Sequence, residues 1–256
     1  MERGLRTYGD PANPPILLLH GVRLAGAIWD IPARDLSDEF FVVVPDLPGH
    51  GALADLPFEI PVYDAYLAYI ADRVTKRPPL VVGYSLGGYV AMRYSTDLPE
   101  RTAGLLICGC SANVVGTRAL LYEAAVAFGA QLTARGMQKL LAFFFRLTLP
   151  RRIAEMVIPL PFNHRVFETS RKTVLHVRYS DRLREYDKPL MIVNGEFDPV
   201  FRWDEAIFAS IPNARVHVMK GTDHAAPLCM PHEFAAIVRD FARAVFSAAP
   251  AREPVS

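Results

Sequence analysis

The chain has little that marks a charged partner. Its 28 Lys and Arg stand against 27 Asp and Glu, leaving a net charge of +1, with no basic block and no interleaving of basic and aromatic residues. A nucleic-acid surface needs such a cationic footprint, so no nucleic-acid partner is expected. Cysteine is scarce as well. Cys108, Cys110 and Cys229 form an odd set with a Cys-x-Cys pair, a poor disulfide framework, and no His or Cys spacing completes a zinc site. No metal and no cofactor are expected, and Cys108 and Cys110 read as buried thiols at a strand end. No apolar run reaches the length of a membrane span, and residues 1–8 carry Glu2, Arg3 and Arg6 where a secretory leader has its apolar centre. These absences predict a cytoplasmic protein with no membrane partner. The sequence carries no signal of oligomeric state.

What is present is apolar material in short, regular pieces. Hydrophobic residues make up 51% of 256, enough for the core of one large domain or of a domain with an insertion. Runs at 16–19, 40–44, 80–82, 103–107, 190–193 and 215–219 suit strands buried on both faces. Helix-like segments at 28–36, 63–75, 88–96, 203–210 and 233–246 lie between them, which predicts an α/β fold with a mostly parallel sheet covered on both sides. Ligands of such sheets bind at the carboxyl ends of the strands, where His20, Asp46, Ser85 and Cys108 fall.

The stretch 111–184 breaks this rhythm. It holds helix-favouring segments at 117–134, 137–147, 150–158 and 164–180 but no convincing strand, and a long insertion of that kind is expected to be a helical lid. Residues 1–110 and 185–247 then form the core, the end of the insertion is free to rejoin it, and 248–256 is a low-complexity tail expected to be disordered.

Chemistry concentrates in Gly83-Tyr84-Ser85-Leu86-Gly87, which follows an apolar run and precedes a helix-like segment. In a tight strand-to-helix turn a serine is held out at the top of the sheet, and side chains two residues either side would collide with the neighbouring strand and helix. A serine hydroxyl is a weak nucleophile and needs a histidine oriented by a carboxylate. Both types occur after later strand-like runs: Glu196 and Asp198 in Asn194-Gly195-Glu196-Phe197-Asp198, then His224 in Gly221-Thr222-Asp223-His224.

Together with His20-Gly21 and Asp46-Leu47-Pro48-Gly49-His50-Gly51, these motifs resemble the α/β-hydrolase superfamily, in its serine esterase-like branch with a helical lid, over about residues 5–246. The resemblance implies about seven strands, with the first strand of many relatives missing and only residues 5–8 pairing at the edge. It implies Ser85 as nucleophile, His224 as general base and then acid, and Asp198 as the orienting carboxylate, with Glu196 the alternative acid and Asp223 a loop cap. The backbone N–H groups of Leu86 and Val22 are implied as the oxyanion hole. Arg23, Trp29, Tyr84, Phe143 and Phe144 are the expected substrate contacts, while His50, His164, His176, His217 and His232 read as structural or exposed. A serine rather than an aspartate points to acyl chemistry, and the expected partner is a small or medium ester. The same triad also serves thioesters, lactones, and carbon–carbon cleavage or lyase steps on carboxylated substrates. Arg93, Arg146, Arg151, Arg152, Arg171 and Arg178 join Arg23 as candidate carboxylate anchors. A binding protein that keeps the pocket without the chemistry is the remaining alternative.

Overall fold

The computed structural model describes residues 2–130, 134–161, 163, 165–198 and 204–248. Among the described residues seven strands form one sheet, in the order β1-β3-β2-β4-β5-β6-β7. They are β1 (Leu5–Tyr8), β2 (Pro15–Leu19), β3 (Phe41–Pro45), β4 (Leu80–Tyr84), β5 (Gly104–Cys108), β6 (Leu190–Gly195) and β7 (Ala214–Met219). Only β1 runs antiparallel, against β3, while the other neighbours are parallel. The short edge strand expected at 5–8 is therefore β1, and no strand precedes it among the described residues.

The central strands are legible because both their faces are buried. Leu17, Leu19, Val43, Val81, Leu105, Ile107 and Ile192 point into one apolar layer, and Ile16, Leu18, Val42, Val44, Leu80, Val82 and Leu106 into the other. Each such side chain contributes about 1.5–3 kcal/mol relative to leaving it in water. The first layer is covered by α2 (Ile60–Tyr69) with its wider-wound continuation Ile70–Thr75, and by α3 (Leu86–Asp97). The second is covered by α1 (Asp30–Leu36) and the long C-terminal helix (Pro231–Ala248). Helix α2 starts three residues before its expected position because Pro61 occupies its first turn, where a missing N–H costs nothing.

Between β5 and β6 lie α4 (Thr117–Ala130), α5 (Ala134–Thr148), α6 (Arg151–Val157), α7 (Val166–Thr169), α8 (Arg171–Val174) and α9 (Tyr179–Glu185). The last two rejoin the body: Val174, Leu175, Tyr179 and Leu183 are buried in the same layer as α3. Asp204 fixes the start of the insertion, accepting from the Ala112 N–H at 2.9 Å and from Arg118 at 2.7 Å. Beyond β6 come α10 (Glu205–Ala209) and α11 (Ala226–Cys229), and α12 is the helix Pro231–Ala248. Among the described residues no helix is long and apolar enough to cross a membrane. The tail at 249–256, His164 and the first residue of the helix expected at 203–210 lie outside the described residues.

Candidate active site

Chain reversal between β2 and its neighbours sets the position of the site. Strand β2 lies between β3 and β4, so the chain crosses over it after β3 and opens a crevice at the strands' carboxyl ends. Ser85 stands there between β4 and α3 with φ 52° and ψ −120°, a conformation rare for a residue with a side chain. The surroundings enforce it. The Ser85 N–H donates to the Cys108 carbonyl at 2.9 Å, and the Ser85 carbonyl accepts from the Gly88 N–H at 2.9 Å. A Cβ at Gly83 would lie 2.5 Å from the Gly87 carbonyl oxygen, and one at Gly87 would run into the carbonyls of Leu19 and His20. These close approaches explain both glycines of the turn.

His224 follows β7 and Asp198 follows β6, and the two meet with Nδ1 3.0 Å from Oδ2. Asp198 is buried at 1% exposure while the histidine is part-exposed. An ionised carboxylate only accepts, so Nδ1 carries the proton and Nε2 is left as the basic nitrogen. Glu196 faces elsewhere: its carboxylate accepts from the Gly221 N–H at 3.0 Å and from Lys220 at 3.2 Å. Asp223 accepts from the Ala225 N–H at 2.9 Å and so closes the turn that carries His224.

The imidazole is held by its faces as well as its edge. Tyr84 lies 5.3 Å from it, Trp29 stands edge-on to Tyr84 at 6.4 Å, and Phe234 of α12 stacks on Trp29 at 5.6 Å. Burial pushes the Tyr84 hydroxyl well above its usual range, so the ring stays neutral. Gly109 closes against the ring too, with φ 64° and the position of a Cβ only 2.9 Å from Cε1 and Nδ1 of His224. Gly109→Ala is expected to turn the imidazole out of line, lowering kcat about 10- to 100-fold with a smaller change in KM. It should also cost about 1–2 kcal/mol of stability, through the left-handed backbone. Steady-state kinetics beside a urea titration separates the two effects.

On the facing loop, His20 is fully buried. Its Nε2 accepts from the Leu47 N–H at 2.9 Å, so Nδ1 carries the proton and donates to the Gly21 carbonyl at 2.8 Å. Holding that carbonyl fixes the whole Gly21–Val22 peptide plane and directs the Val22 N–H the opposite way. Asp46 ties the same loop down, accepting from the Gly26 N–H at 2.7 Å and the Ala52 N–H at 2.8 Å. Leu86 opens α3, so its N–H has no acceptor within the helix.

Burial lowers His20 from 6.5 to about 4, and burial also lowers His50, whose Nδ1 lies 3.0 Å from the Pro48 carbonyl. Between these two pKa values of His20 the unfolded chain binds the proton and the folded chain does not. Stability is therefore complete above about pH 6.5 and declines as pH falls toward 4, with His20 contributing on the order of 3 kcal/mol to the difference. Urea midpoints measured across that window should fall steadily with acidification; a flat profile would contradict a neutral, buried His20.

A cavity of about 570 Å³ opens over Ser85 and His224. Its walls are Leu24, Tyr84 and Leu228 from the body, Phe197 beside Asp198, and Leu141, Phe144, Phe145, Leu149 and Phe167 from the insertion. Val22 and Arg23 border it, and of the arginines considered as anchors only Arg23 lines it. Arg23 is 6% exposed, in a left-handed backbone conformation, and burial lowers its pKa. Arg93 instead pairs with Asp64 and Asp97, Arg151 with Glu155 and Arg171 with Glu123.

Two expected substrate contacts fall outside the cavity lining. Trp29 is wholly buried behind Tyr84, because the 3-10 turn Gly26–Trp29 rolls it inward onto Phe234. Phe143 is 66% exposed on the outer side of α5, and Phe145, which was not among the expected contacts, lines the cavity with Phe144. Leu228 carried no motif; it reaches the cavity from the short helix Ala226–Cys229 that follows His224. His176 and His232 lie at the exposed surface beside Glu123 and Asp35, His217 is exposed on β7, and Cys108 and Cys110 are buried free thiols. Among the described residues no group of three His, Cys, Asp or Glu side chains is placed to hold a metal ion.

Known proteins resemble this chain in sequence and fold. A pimeloyl-(acyl-carrier protein) methyl ester esterase of Nitrosomonas europaea is 28% identical over 243 residues, covering 87% of this chain and 93% of that protein. The monoacylglycerol lipase ABHD6 of Bos taurus is 26% identical over 266 residues, covering 93% of this chain and 78% of the other. The structure of MenH from S. aureus superposes with a TM-score of 0.80 at 21% identity, over 96% of this chain and 100% of that one, a likeness of fold. The sequence model of the alpha/beta hydrolase family matches residues 16–237, from the second strand into the last helix and across every element that carries the site. With that span and the sheet order above, the chain belongs to the alpha/beta hydrolase family.

Proposed function

We propose that the protein is a serine hydrolase of small to medium carboxylic esters, working through an acyl-enzyme on Ser85. The observation that carries this reading is the buried Asp198 bonded to His224 at the floor of an apolar cavity that also exposes Ser85. Ser85 Oγ bonds to the ester carbonyl carbon while its proton passes to His224 Nε2. The tetrahedral oxyanion is met by the N–H groups of Leu86 and Val22, each such donor being worth about 3 kcal/mol in the transition state. Collapse breaks the bond to the alcohol oxygen, which takes the proton from Nε2. A water then gives its proton to Nε2 and attacks the acyl carbon, and the returning proton frees Ser85 and the acid.

In this reading residues 111–184 act as a lid, with α5 and α7 supplying the far wall of the cavity, and residues 1–110 and 185–247 as the catalytic core. The cavity's size and its leucine and phenylalanine walls suit a short to medium acyl or aryl group. The relatives named as an ester esterase and a monoacylglycerol lipase support ester chemistry. The test is labelling with a fluorophosphonate followed by a series of p-nitrophenyl esters graded in acyl length, with thioester and lactone controls. A missing Ser85 adduct would leave a ligand-binding protein instead.

Arg23 favours a second reading. A buried guanidinium at the cavity border can hold a substrate carboxylate, as carbon–carbon hydrolases and lyases of carboxylated substrates require. Turnover of a dienoate keto acid in preference to neutral esters, lost in Arg23→Met, would select it.

A further inference from the structure

Helix α5 is apolar on two sides. Its inward side supplies Leu141 and Phe145 to the cavity wall and buries Ala142, which is what an amphipathic helix does. Its outward side should then be polar, yet Leu140, Phe143, Phe144 and Leu147 are 45%, 66%, 56% and 72% exposed. Their spacing of i, i+3, i+4 and i+7 makes them one continuous stripe along the helix. Beside the stripe, about two turns apart along the helix, stand the exposed Lys139 and Arg146. The surrounding sequence is one-signed. Between Glu123 and Glu155 there is no acidic residue, while Arg135, Lys139, Arg146, Arg151 and Arg152 all occur.

An exposed leucine and phenylalanine stripe bordered by cations is the pattern of a helix lying in the plane of an anionic lipid surface, its apolar side in the acyl boundary and its cations among the headgroups. We propose that α5 docks the protein peripherally on anionic lipid. Charge decides against a second copy of this chain as the occupant, since a two-fold contact through the stripe would bring Lys139 and Arg146 against themselves. An acidic soluble partner would answer the cations but leave the larger, apolar part of the surface unmatched. No spanning helix is needed for such a contact, so it stands beside the absence of a membrane-crossing segment among the described residues.

Position gives the contact a use. Phe144 belongs both to the stripe and to the cavity lining, and Phe197, 66% exposed, lines the cavity as well, so the apolar surface continues into the cavity. Docking would place the cavity mouth against the acyl region, where an amphiphilic ester enters without crossing water. This last step rests on the ester-hydrolase reading; docking itself does not.

Docking is measured first with the Ser85→Ala protein, by co-sedimentation with vesicles of equal parts phosphatidylcholine and phosphatidylglycerol. Binding should be at least about tenfold stronger than to phosphatidylcholine alone and should weaken with salt. Phe143→Ser with Leu147→Ser, and separately Lys139→Glu with Arg146→Glu, should each reduce it about tenfold. Made in the Ser85 background, both double variants should still take up fluorophosphonate and turn over a soluble ester, which shows that they fold. Failure of the wild type to label would refute the hydrolase reading without touching docking. No vesicle binding, or equal binding to neutral vesicles, overturns the proposal. So does a dimer dissolved by Phe143→Ser with Leu147→Ser, which assigns the face to a second copy. Capture of an acidic carrier protein that depends on Lys139 and Arg146 but not on Phe143 and Leu147 overturns it in favour of a soluble partner.

Discussion

Ser85→Ala should lower kcat for a p-nitrophenyl ester by on the order of 10⁶-fold, leaving only the rate that binding and the oxyanion donors supply. Nothing else at Ser85 needs the hydroxyl. Its structural bonds run through the backbone, from the N–H to the Cys108 carbonyl and from the carbonyl to the Gly88 and Tyr89 N–H groups, and alanine keeps all of them. Serine and alanine carry the same backbone strain at φ 52°, so the thermal midpoint should stay close to that of the parent. The fluorophosphonate adduct should vanish with the activity. Turnover that survives the substitution in a protein free of contaminating esterase would remove Ser85 from the chemistry altogether.

Asp198→Asn should cost about 10⁴-fold in kcat, because an amide can offer His224 Nδ1 an N–H and so stabilise the wrong imidazole tautomer. The partner experiment is Glu196→Gln. Glu196 binds Lys220 and the Gly221 N–H at the far side of its loop, so its loss should leave kcat within about threefold and lower stability by about 1 kcal/mol or less. If the two variants exchanged their effects, the acid of the site would be Glu196. A kcat/KM measurement with both proteins in parallel decides, with circular dichroism melts to confirm that each is folded.

Much of this was legible in the sequence because the central strands are buried on both sides, which leaves short continuous apolar runs set between turn residues. The serine turn, the loop that bears both candidate acids and the histidine follow those runs, so their order was readable before their contacts were. The choice of Asp198 over Glu196 came from the resemblance alone, since both sit on one short loop and the direction of each side chain separates them only in the structure. The wall of the cavity was not legible. Three consecutive phenylalanines, Phe143 to Phe145, sweep about 200° of a helix, and their identity alone does not say which one faces inward. Trp29 misled for a different reason: its partner Phe234 lies at the far end of the chain, and a non-local stack of that kind leaves no local mark.

That stack orders events in time. A polypeptide leaves the ribosome from its N-terminus, and Ser85 emerges long before Asp198, His224 and the helix that carries Phe234. Until that last helix docks on Trp29, the ring column under His224 has no base. On the reading proposed above, Ser85 lacks its acid and base until Asp198 and His224 have been made, and the same final segment that closes the apolar layer completes the support under His224.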